Sequence, residues 1–206
     1  VTIGQAKFLK RGNSATVVKV NNKDSDWTIK RYNIKDFRHR FSRCLRPSRA
    51  CVSWQGAHRL ALLGIATPQP IAMRENRNGR FRKEAYLVTE FIEGKNLQSW
   101  LLSLSKDQVP TWLGKEVLRL FNTLWYRKVS HGDMKASNFI VSEKILYVID
   151  LDTLQWHSSE ESMNQAFTRD IERFMENWQG NTWIYFKDIL SPLAEQLNIT
   201  LKNKKV

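Results

Sequence analysis

The first 91 residues are patterned as a series of short strands. Runs of apolar and β-branched residues, bounded by turn-forming residues, occupy positions 8–10, 16–20, 27–32, 71–74 and 85–91. The link between the first two runs, Arg-Gly-Asn-Ser, places Gly12 and free backbone donors where a phosphate could bind, although an ordinary hairpin turn explains it equally well. The last link, 75–80, contains Asn-Gly and predicts a hairpin turn.

A helix is predicted between the third and fourth strands. Pro47 and Ser48 are typical of a helix start, and Gly64 is typical of a helix end. Apolar residues recur at helical spacing from residue 50 to residue 62. The Thr-Pro-Gln-Pro stretch that follows favours an extended connection, because a residue before proline avoids the helical region.

After residue 96 the periodicity becomes helical. Apolar residues three and four positions apart predict helices at 97–104, 111–127, 163–178 and 185–197. Two apolar runs, 139–141 and 145–149, flank Ser-Glu-Lys and predict a β-hairpin among these helices.

Strands followed by helices indicate an α+β fold with two lobes and a cleft between them. Residues 1–93 would form an N-terminal lobe with a five-stranded sheet and one helix, and residues 94–206 a helical C-terminal lobe. Glu90, Phe91 and Ile92 come where a strand ends before glycine, so we expect a hinge there.

Composition limits the classes of partner. The chain has 206 residues, enough to bury roughly 70% of its unfolded surface. Its net charge of +13 predicts an anionic partner, which could be a nucleic acid, an acidic membrane surface or a phosphorylated substrate. Nucleic acid is the weakest of the three, because the basic residues form no recognition motif.

Localisation is predicted from hydropathy and cysteine usage. No apolar run approaches the roughly 18 residues that a bilayer-spanning helix needs. Cys44 and Cys51 have no ligand partners at zinc spacing, so we expect free thiols in a reducing compartment. These features predict a soluble, cytoplasmic protein.

The segment 35–59 is strongly basic. A solvated helix face normally mixes both signs of charge, but here Asp36 is the single acid. The segment is therefore a candidate contact for an anionic ligand or the surface of the inner membrane. Its basic residues are Lys35, Arg38, Arg40, Arg43, Arg46, Arg49 and Arg59.

The segment from Val129 to Asp152 carries the candidate chemistry. Antiparallel strands return to their starting point, so the predicted hairpin would bring Asn138, before its first strand, close to Asp150, after its second. An amide and a carboxylate oxygen suit a hard cation such as Mg²⁺. Asp133 would remain free to face an acceptor hydroxyl.

This spacing fits phosphoryl transfer, which needs positioning and positive charge more than covalent help. Asp133 would accept or orient the acceptor's proton, and Lys135 would neutralise the transferring phosphoryl group. Lys30, on the third strand, would bind the nucleotide phosphates, together with Gly12 and the hinge at residues 90–92. The alternative is that the polar residues of 131–138 only cap a turn and that Lys30 is an ordinary exposed lysine.

The motif HGDMKASNF followed by YVIDLD resembles the catalytic and metal-binding loops of the lipopolysaccharide kinase family, a bacterial branch of the protein-kinase-like superfamily. WTIKRYN, AHRLALLGIATPQPIA and RDIERFMENW extend the resemblance from about residue 8 to about residue 180. The resemblance implies a two-lobed protein-kinase-like fold with a small, reduced C-terminal lobe. It also implies ATP as donor and, as acceptor, a heptose or Kdo hydroxyl of an anionic glycolipid, the lipopolysaccharide core.

Carried over to this chain, the resemblance makes Lys30 the strand lysine, Asp133 the catalytic base, and Asn138 and Asp150 the metal ligands. Asp170 resembles the buried helix aspartate that holds the catalytic loop through backbone hydrogen bonds. Asp152 stands where protein kinases have the glycine of their DFG motif, so it would assist a metal or bind a basic residue.

One departure concerns the glutamate that fixes the strand lysine in protein kinases. Ser53 falls at about its position, with Gln55 and His58 nearby as polar substitutes. This departure keeps a weakly active nucleotide-binding module open as an alternative, and a protein or small-molecule kinase of another HGD branch is a second one.

Overall fold

The structure is a computed structural model that describes residues 6–21, 25–33, 47–79, 81–104 and 109–201. The chain divides into two compact units, an N-terminal unit, Val1–Ile92, and a C-terminal unit, Glu93–Val206. Most of the predicted basic segment, residues 34–46, lies outside the described residues, as do Cys44 and the basic tail after residue 201.

The N-terminal unit contains a five-stranded antiparallel sheet in the order β1-β2-β3-β5-β4. All five predicted strands are confirmed. Their bounds are β1 Ala6–Arg11, β2 Ala15–Asn21, β3 Asp26–Tyr32, β4 Pro70–Asn78 and β5 Phe81–Glu90.

The predicted helix of this unit is also confirmed, as α1, Arg49–Leu62. Ser48 caps its N-terminus by accepting a hydrogen bond of 3.0 Å from the backbone N–H of Cys51. The helix packs against β4 and β5. The small core beneath it is formed by Ala15, Tyr32, Ala50, Ala85 and Leu87, with Trp54 and Met73 at its edge.

The ribbon formed by β4 and β5 is longer than predicted. Residues 75–78, assigned to a turn, continue β4, and Gly79, at φ +57°, follows them in the turn. Polar cross-strand contacts support this extension, since Asn76 Nδ2 donates to Glu84 Oε1 at 3.2 Å. A ribbon with polar residues on both faces has no apolar alternation, so its length could not be found from the hydropathy pattern.

The C-terminal unit is mainly helical. Its helices are α2 Leu97–Leu102, α3 Thr111–Tyr126, α4 Glu160–Met175 and α5 Gly180–Gln196. The last two begin three and five residues earlier than predicted. The first turn of α4, Glu160 to Ser162, is polar and carries no apolar signal. Ser159 caps α4 by accepting a 3.2 Å hydrogen bond from the N–H of Ser162.

Aromatic side chains fill the core of this unit. Phe174 contacts Phe121, Phe139 and Phe186 with ring centroids 5.1–5.9 Å apart, mostly edge to face. Of the apolar stripe predicted on α3, four residues are buried, Val117, Leu120, Phe121 and Leu124, and Trp112 is half-buried. The aromatic residues of the second half therefore act chiefly as core.

Short strands complete the unit. The predicted hairpin is confirmed as β8, Phe139–Ser142, and β9, Ile145–Val148, and β6, Lys95–Asn96, pairs with β8. β7, Val129–Ser130, pairs with β10, Gln155–Trp156. Sequence reasoning missed the three two-residue strands, because such short elements have no periodicity. No helix of the described residues is long and apolar enough to cross a membrane.

Candidate active site

The loop after β7 starts the candidate site, and its glycine is sterically required. Gly132 has φ +79°, a conformation that side-chain-bearing residues rarely adopt. A Cβ there would lie 2.9 Å from the carbonyl oxygen of Thr153, whose hydroxyl donates to the His131 carbonyl at 2.8 Å. The backbone of this loop therefore requires glycine between His131 and Asp133.

Asp170 of α4 anchors this loop, as predicted. Its two carboxylate oxygens accept the backbone N–H groups of His131 at 2.6 Å and Gly132 at 2.9 Å, and its side chain is buried. Burial raises the pKa of Asp170, while the hydrogen bonds from the backbone of His131 and Gly132 oppose that rise. The aspartate thus ties the loop to the helical core.

His131 is fully buried and has one tautomer. The N–H of Asp133 donates to its Nδ1 at 3.3 Å, so the ring proton lies on Nε2, which donates to the carbonyl of Ile149 at 3.0 Å. The ring therefore links the Asp133 loop to the end of β9, immediately before Asp150.

Asp133 lies among cationic and amide groups. Lys135 Nζ is 2.5 Å from its Oδ2, Asn138 Nδ2 donates to the same oxygen at 3.0 Å, and Arg173 Nε is 3.6 Å from Oδ1. Burial acts to raise the pKa of Asp133, but the hydrogen bond and charge of Lys135, with help from Asn138 and Arg173, bring the pKa below its usual value. The carboxylate is ionised at neutral pH.

Sequence reasoning missed Arg173. It lies on α4 three residues after Asp170, and residues three apart share a helix face. That spacing was a usable signal: a helix whose aspartate holds the loop presents its next turn to the same loop.

Asn138 and Asp150 are brought together by the β8–β9 hairpin. Asn138 ends a 3₁₀ turn, and its carbonyl accepts the N–H of Ile149 at 2.9 Å. Asp150 follows at φ +62°, a left-handed conformation that turns the chain out of the sheet. Asp152 lies two residues on, half-buried, in a second 3₁₀ turn.

The donor atoms of this pair fit Mg²⁺. The amide nitrogen of Asn138 also donates to the carbonyl of Asp133 at 2.8 Å, which leaves the amide oxygen as its ligand-type atom. Within the described residues no group of three or more His, Cys, Asp or Glu could hold a metal. One or two protein oxygens are nevertheless enough for Mg²⁺ when substrate phosphates and waters complete the shell.

The predicted nucleotide residues of the N-terminal unit lie on β3 and the β1–β2 turn. Lys30 Nζ lies 4.7 Å from the centre of the Tyr32 ring. The Gly12 N–H donates within the turn to Ala15 at 3.0 Å, while its carbonyl accepts Asn33 Nδ2 at 3.2 Å. The turn is thereby tied to the residue that follows β3.

The predicted hinge is bonded to neighbouring strands. The Glu90 N–H donates to the carbonyl of Gln69, and its side chain accepts the Gln69 N–H at 2.9 Å. The Phe91 N–H donates to the carbonyl of Asp26 at 2.9 Å, and Ile92 follows, half-buried. The backbone N–H groups of residues 90 and 91 are therefore already used within the N-terminal unit.

Comparison with known proteins identifies the fold and the family of the chain. A solved structure, "WaaP in complex with acyl carrier protein", is similar in fold, with a TM-score of 0.62, 16% identity, and coverage of 94% of this chain and 86% of that chain. No curated protein sequence matches the chain. The profile of the lipopolysaccharide kinase (Kdo/WaaP) family matches residues 5–188.

The chain therefore belongs to the lipopolysaccharide kinase (Kdo/WaaP) family. This confirms the resemblance drawn from HGDMKASNF and YVIDLD, and with it the α+β fold. The protein is a kinase, and its family implies ATP as the phosphoryl donor.

Proposed function

We propose that this kinase transfers the γ-phosphoryl group of ATP to a sugar hydroxyl, on heptose or Kdo, of the lipopolysaccharide core. The observation that carries the proposal is the surroundings of Asp133, where Lys135, Asn138 and Arg173 converge on one ionised carboxylate. A carboxylate backed by cations is what transfer to a hydroxyl needs, because the attacking oxygen must be oriented while negative charge is neutralised.

Asp133 acts mainly by orienting the acceptor. Its pKa lies below the usual value, so it is a weak base at neutral pH, whereas an efficient general base has a pKa near the working pH. In a loose transition state the acceptor oxygen bonds to the γ-phosphorus as the bond to the β–γ bridging oxygen breaks. ADP leaves, and the hydroxyl proton passes through Asp133 to solvent.

Asn138 and Asp150 would hold Mg²⁺, which when bound neutralises the β- and γ-phosphates. Lys135 holds the Asp133 carboxylate and lies two residues from it, where its charge also serves the transferring phosphoryl group. Asp152 adds a half-buried carboxylate two residues beyond Asp150.

In the N-terminal unit, Lys30 would bind the nucleotide phosphates, with Gly12 in the covering turn. The hinge residues Glu90, Phe91 and Ile92 would contact the adenine. The Glu90 and Phe91 N–H groups donate to Gln69 and Asp26, and the Glu90 carbonyl accepts Thr89 Oγ1 at 3.0 Å, so this task would fall to the remaining backbone groups of the hinge.

The test is phosphate transfer from ATP to purified core oligosaccharide, followed by mass spectrometry. Asp133→Asn should lower turnover about 10²- to 10⁴-fold while leaving the melting temperature nearly unchanged. Asp188→Asn, an exposed aspartate on α5, is the matched control and should remain fully active. Full activity of the Asp133 variant would contradict the assignment.

A nucleotide-binding module with little turnover is the second candidate, because Ser53 stands where protein kinases have the helix glutamate. It predicts a thermal shift with Mg-ATP and no phosphorylated product from core oligosaccharide, free sugars or a protein substrate. A phosphorylated protein or small molecule in place of the oligosaccharide would instead indicate a kinase of another HGD branch.

The basic segment 35–59 would hold the enzyme as a peripheral protein at the cytoplasmic face of the inner membrane, close to its glycolipid acceptor. Each basic side chain near an anionic surface contributes about 1 kcal/mol. Co-sedimentation with vesicles containing phosphatidylglycerol should be strong at low salt and lost at high salt, since such attraction is screened. Equal sedimentation with neutral vesicles would contradict this part of the proposal.

A further inference from the structure

An open cavity of about 920 Å³ lies in the C-terminal unit beside the candidate site. It is bordered by the second half of α4, by Trp178, and by the chain from Leu197 to Leu201 after α5. Ligand sites usually measure about 300–1,000 Å³, so the cavity is large enough for a substrate group.

The cavity adjoins Asp133 through two shared side chains. Lys135 and Arg173 both line it, and both contact the Asp133 carboxylate, one at each oxygen. A group bound in the cavity therefore lies next to the residue that orients the acceptor hydroxyl.

The polar lining has balanced charge. Lys135 and Arg173 are opposed by Glu172 and Glu176, and Arg173 Nη1 lies 3.5 Å from Glu176 Oε2. The remaining polar lining consists of uncharged hydroxyl and amide groups, those of Thr168, Asn177, Asn198 and Thr200. Each cation already faces a carboxylate, Lys135 that of Asp133 and Arg173 those of Asp133 and Glu176. The lining therefore has no net positive charge to attract an anionic ligand, whereas its carboxylates and amides readily accept hydrogen bonds from hydroxyls.

Trp178 adds an independent sign of a ligand. Its ring is only 4% exposed and lines the cavity, and its Nε1 has no hydrogen-bond partner within the described part of the chain. Buried indole N–H groups normally have a hydrogen-bond partner, so an oxygen-rich ligand would supply the acceptor for Trp178 Nε1.

We infer that this cavity binds the acceptor as an uncharged, hydroxyl-rich sugar unit, with Glu172, Thr200 and Trp178 as specificity residues. The inference rests on the proposed function, since it gives the acceptor a binding site beside Asp133. Between the two sugars considered above, it selects heptose, which is neutral, over Kdo, which carries a carboxylate.

Two conservative substitutions test the site. Glu172→Gln removes a charge and Thr200→Val removes a hydroxyl, each with little change in shape. Each should raise the KM for dephosphorylated core oligosaccharide, by about tenfold for Glu172→Gln, because its hydrogen bonds involve a charged group. The KM for ATP should change by less than about twofold, because neither residue belongs to the proposed nucleotide site.

Glu195→Gln is the matched control, since it makes the same charge change at an exposed position of α5 that does not line the cavity. Its KM for both substrates should equal that of the unsubstituted protein. Trp178→Phe, which keeps an aromatic ring but removes the N–H, should raise the oligosaccharide KM further.

Competition distinguishes the sugar class. Free heptose should inhibit transfer to the oligosaccharide, and free Kdo at the same concentration should not; stronger inhibition by Kdo would overturn the inference.

The substitutions separate this inference from the proposed function. An unchanged oligosaccharide KM in the Glu172 and Thr200 variants would also overturn the inference, while an inactive Asp133→Asn variant would leave the proposed function standing.

Binding without turnover provides a second measurement. Calorimetric titration of the oligosaccharide into the Asp133→Asn variant should show binding that Glu172→Gln weakens about tenfold. This holds even if catalysis in the unsubstituted protein is too slow to assay, and equal affinities in the two proteins would overturn the inference.

Discussion

The hydroxyl groups of Tyr32 and Ser53 lie 3.0 Å apart and form a buried hydrogen bond between β3 and α1. Ser53 is 2% exposed, and Lys30 Nζ lies 4.7 Å from the ring of the same tyrosine. In protein kinases a lysine–glutamate ion pair joins these two elements. Here a neutral hydroxyl pair joins them, and the lysine lies against the ring that the pair holds.

Ser53→Ala should lower the free energy of unfolding by about 1 kcal/mol, the net contribution of such a bond. It should also raise the KM for ATP, because the Tyr32 ring beside Lys30 becomes less restrained. Chemical denaturation and steady-state kinetics measure the two effects. In a double-mutant cycle with Tyr32→Phe the two losses should be less than additive, and strict additivity would show that the bond contributes nothing.

Gly132→Ala should destabilise the protein more than Gly79→Ala. Both glycines have positive φ, so each substitution costs about 1–2 kcal/mol of backbone strain. At Gly132 the new Cβ would also lie 2.9 Å from the Thr153 carbonyl, whereas at Gly79 it meets no described atom within 4 Å. Chemical denaturation of both variants measures the difference, which is the steric contribution at Gly132. Equal losses in the free energy of unfolding would contradict that contribution.

Asp170→Asn should lower both stability and kcat. An amide has one acceptor oxygen, so one of the N–H groups of His131 and Gly132 would face an NH₂ group in a buried place, at a cost of about 1–3 kcal/mol. The resulting displacement of Asp133 should reduce kcat while the KM for ATP changes little. The exposed Asp188→Asn control should behave like the unsubstituted protein.

The sequence predicted those parts of the fold whose burial produces a regular pattern. The apolar stripe of α3 and the β8–β9 hairpin were found because every second, third or fourth residue is buried. The two-residue strands and the polar end of the β4–β5 ribbon were not predicted, because they have no regular pattern of buried residues. Their hydrogen bonds depend on partners distant in sequence, which local patterns do not encode.

The candidate site divides in the same way. Asp133, Lys135, Asn138 and Asp150 lie within one segment, so their grouping follows from local turn and hairpin geometry. Arg173 and the cavity beyond it depend on how α4 packs against that segment. The Tyr32–Ser53 bond likewise joins residues 21 positions apart, and only the packing of α1 on the sheet brings them together.

Folding stability should decrease as the pH falls below about 6.5, through His157. Burial, reinforced by the charge of Arg169, lowers the pKa of His157 from its ordinary 6.5. Its ring is held between the hydroxyls of Ser130, at 2.7 Å from Nε2, and Ser162, at 2.8 Å from Nδ1. Because the unfolded chain takes up this proton at a higher pH than the folded chain, the stabilisation is complete above the unfolded pKa and is lost as the pH falls through the folded one. Denaturation between about pH 5 and 7.5 should therefore show a slope that His157→Gln reduces, and an unchanged slope in that variant would assign the pH dependence to other groups.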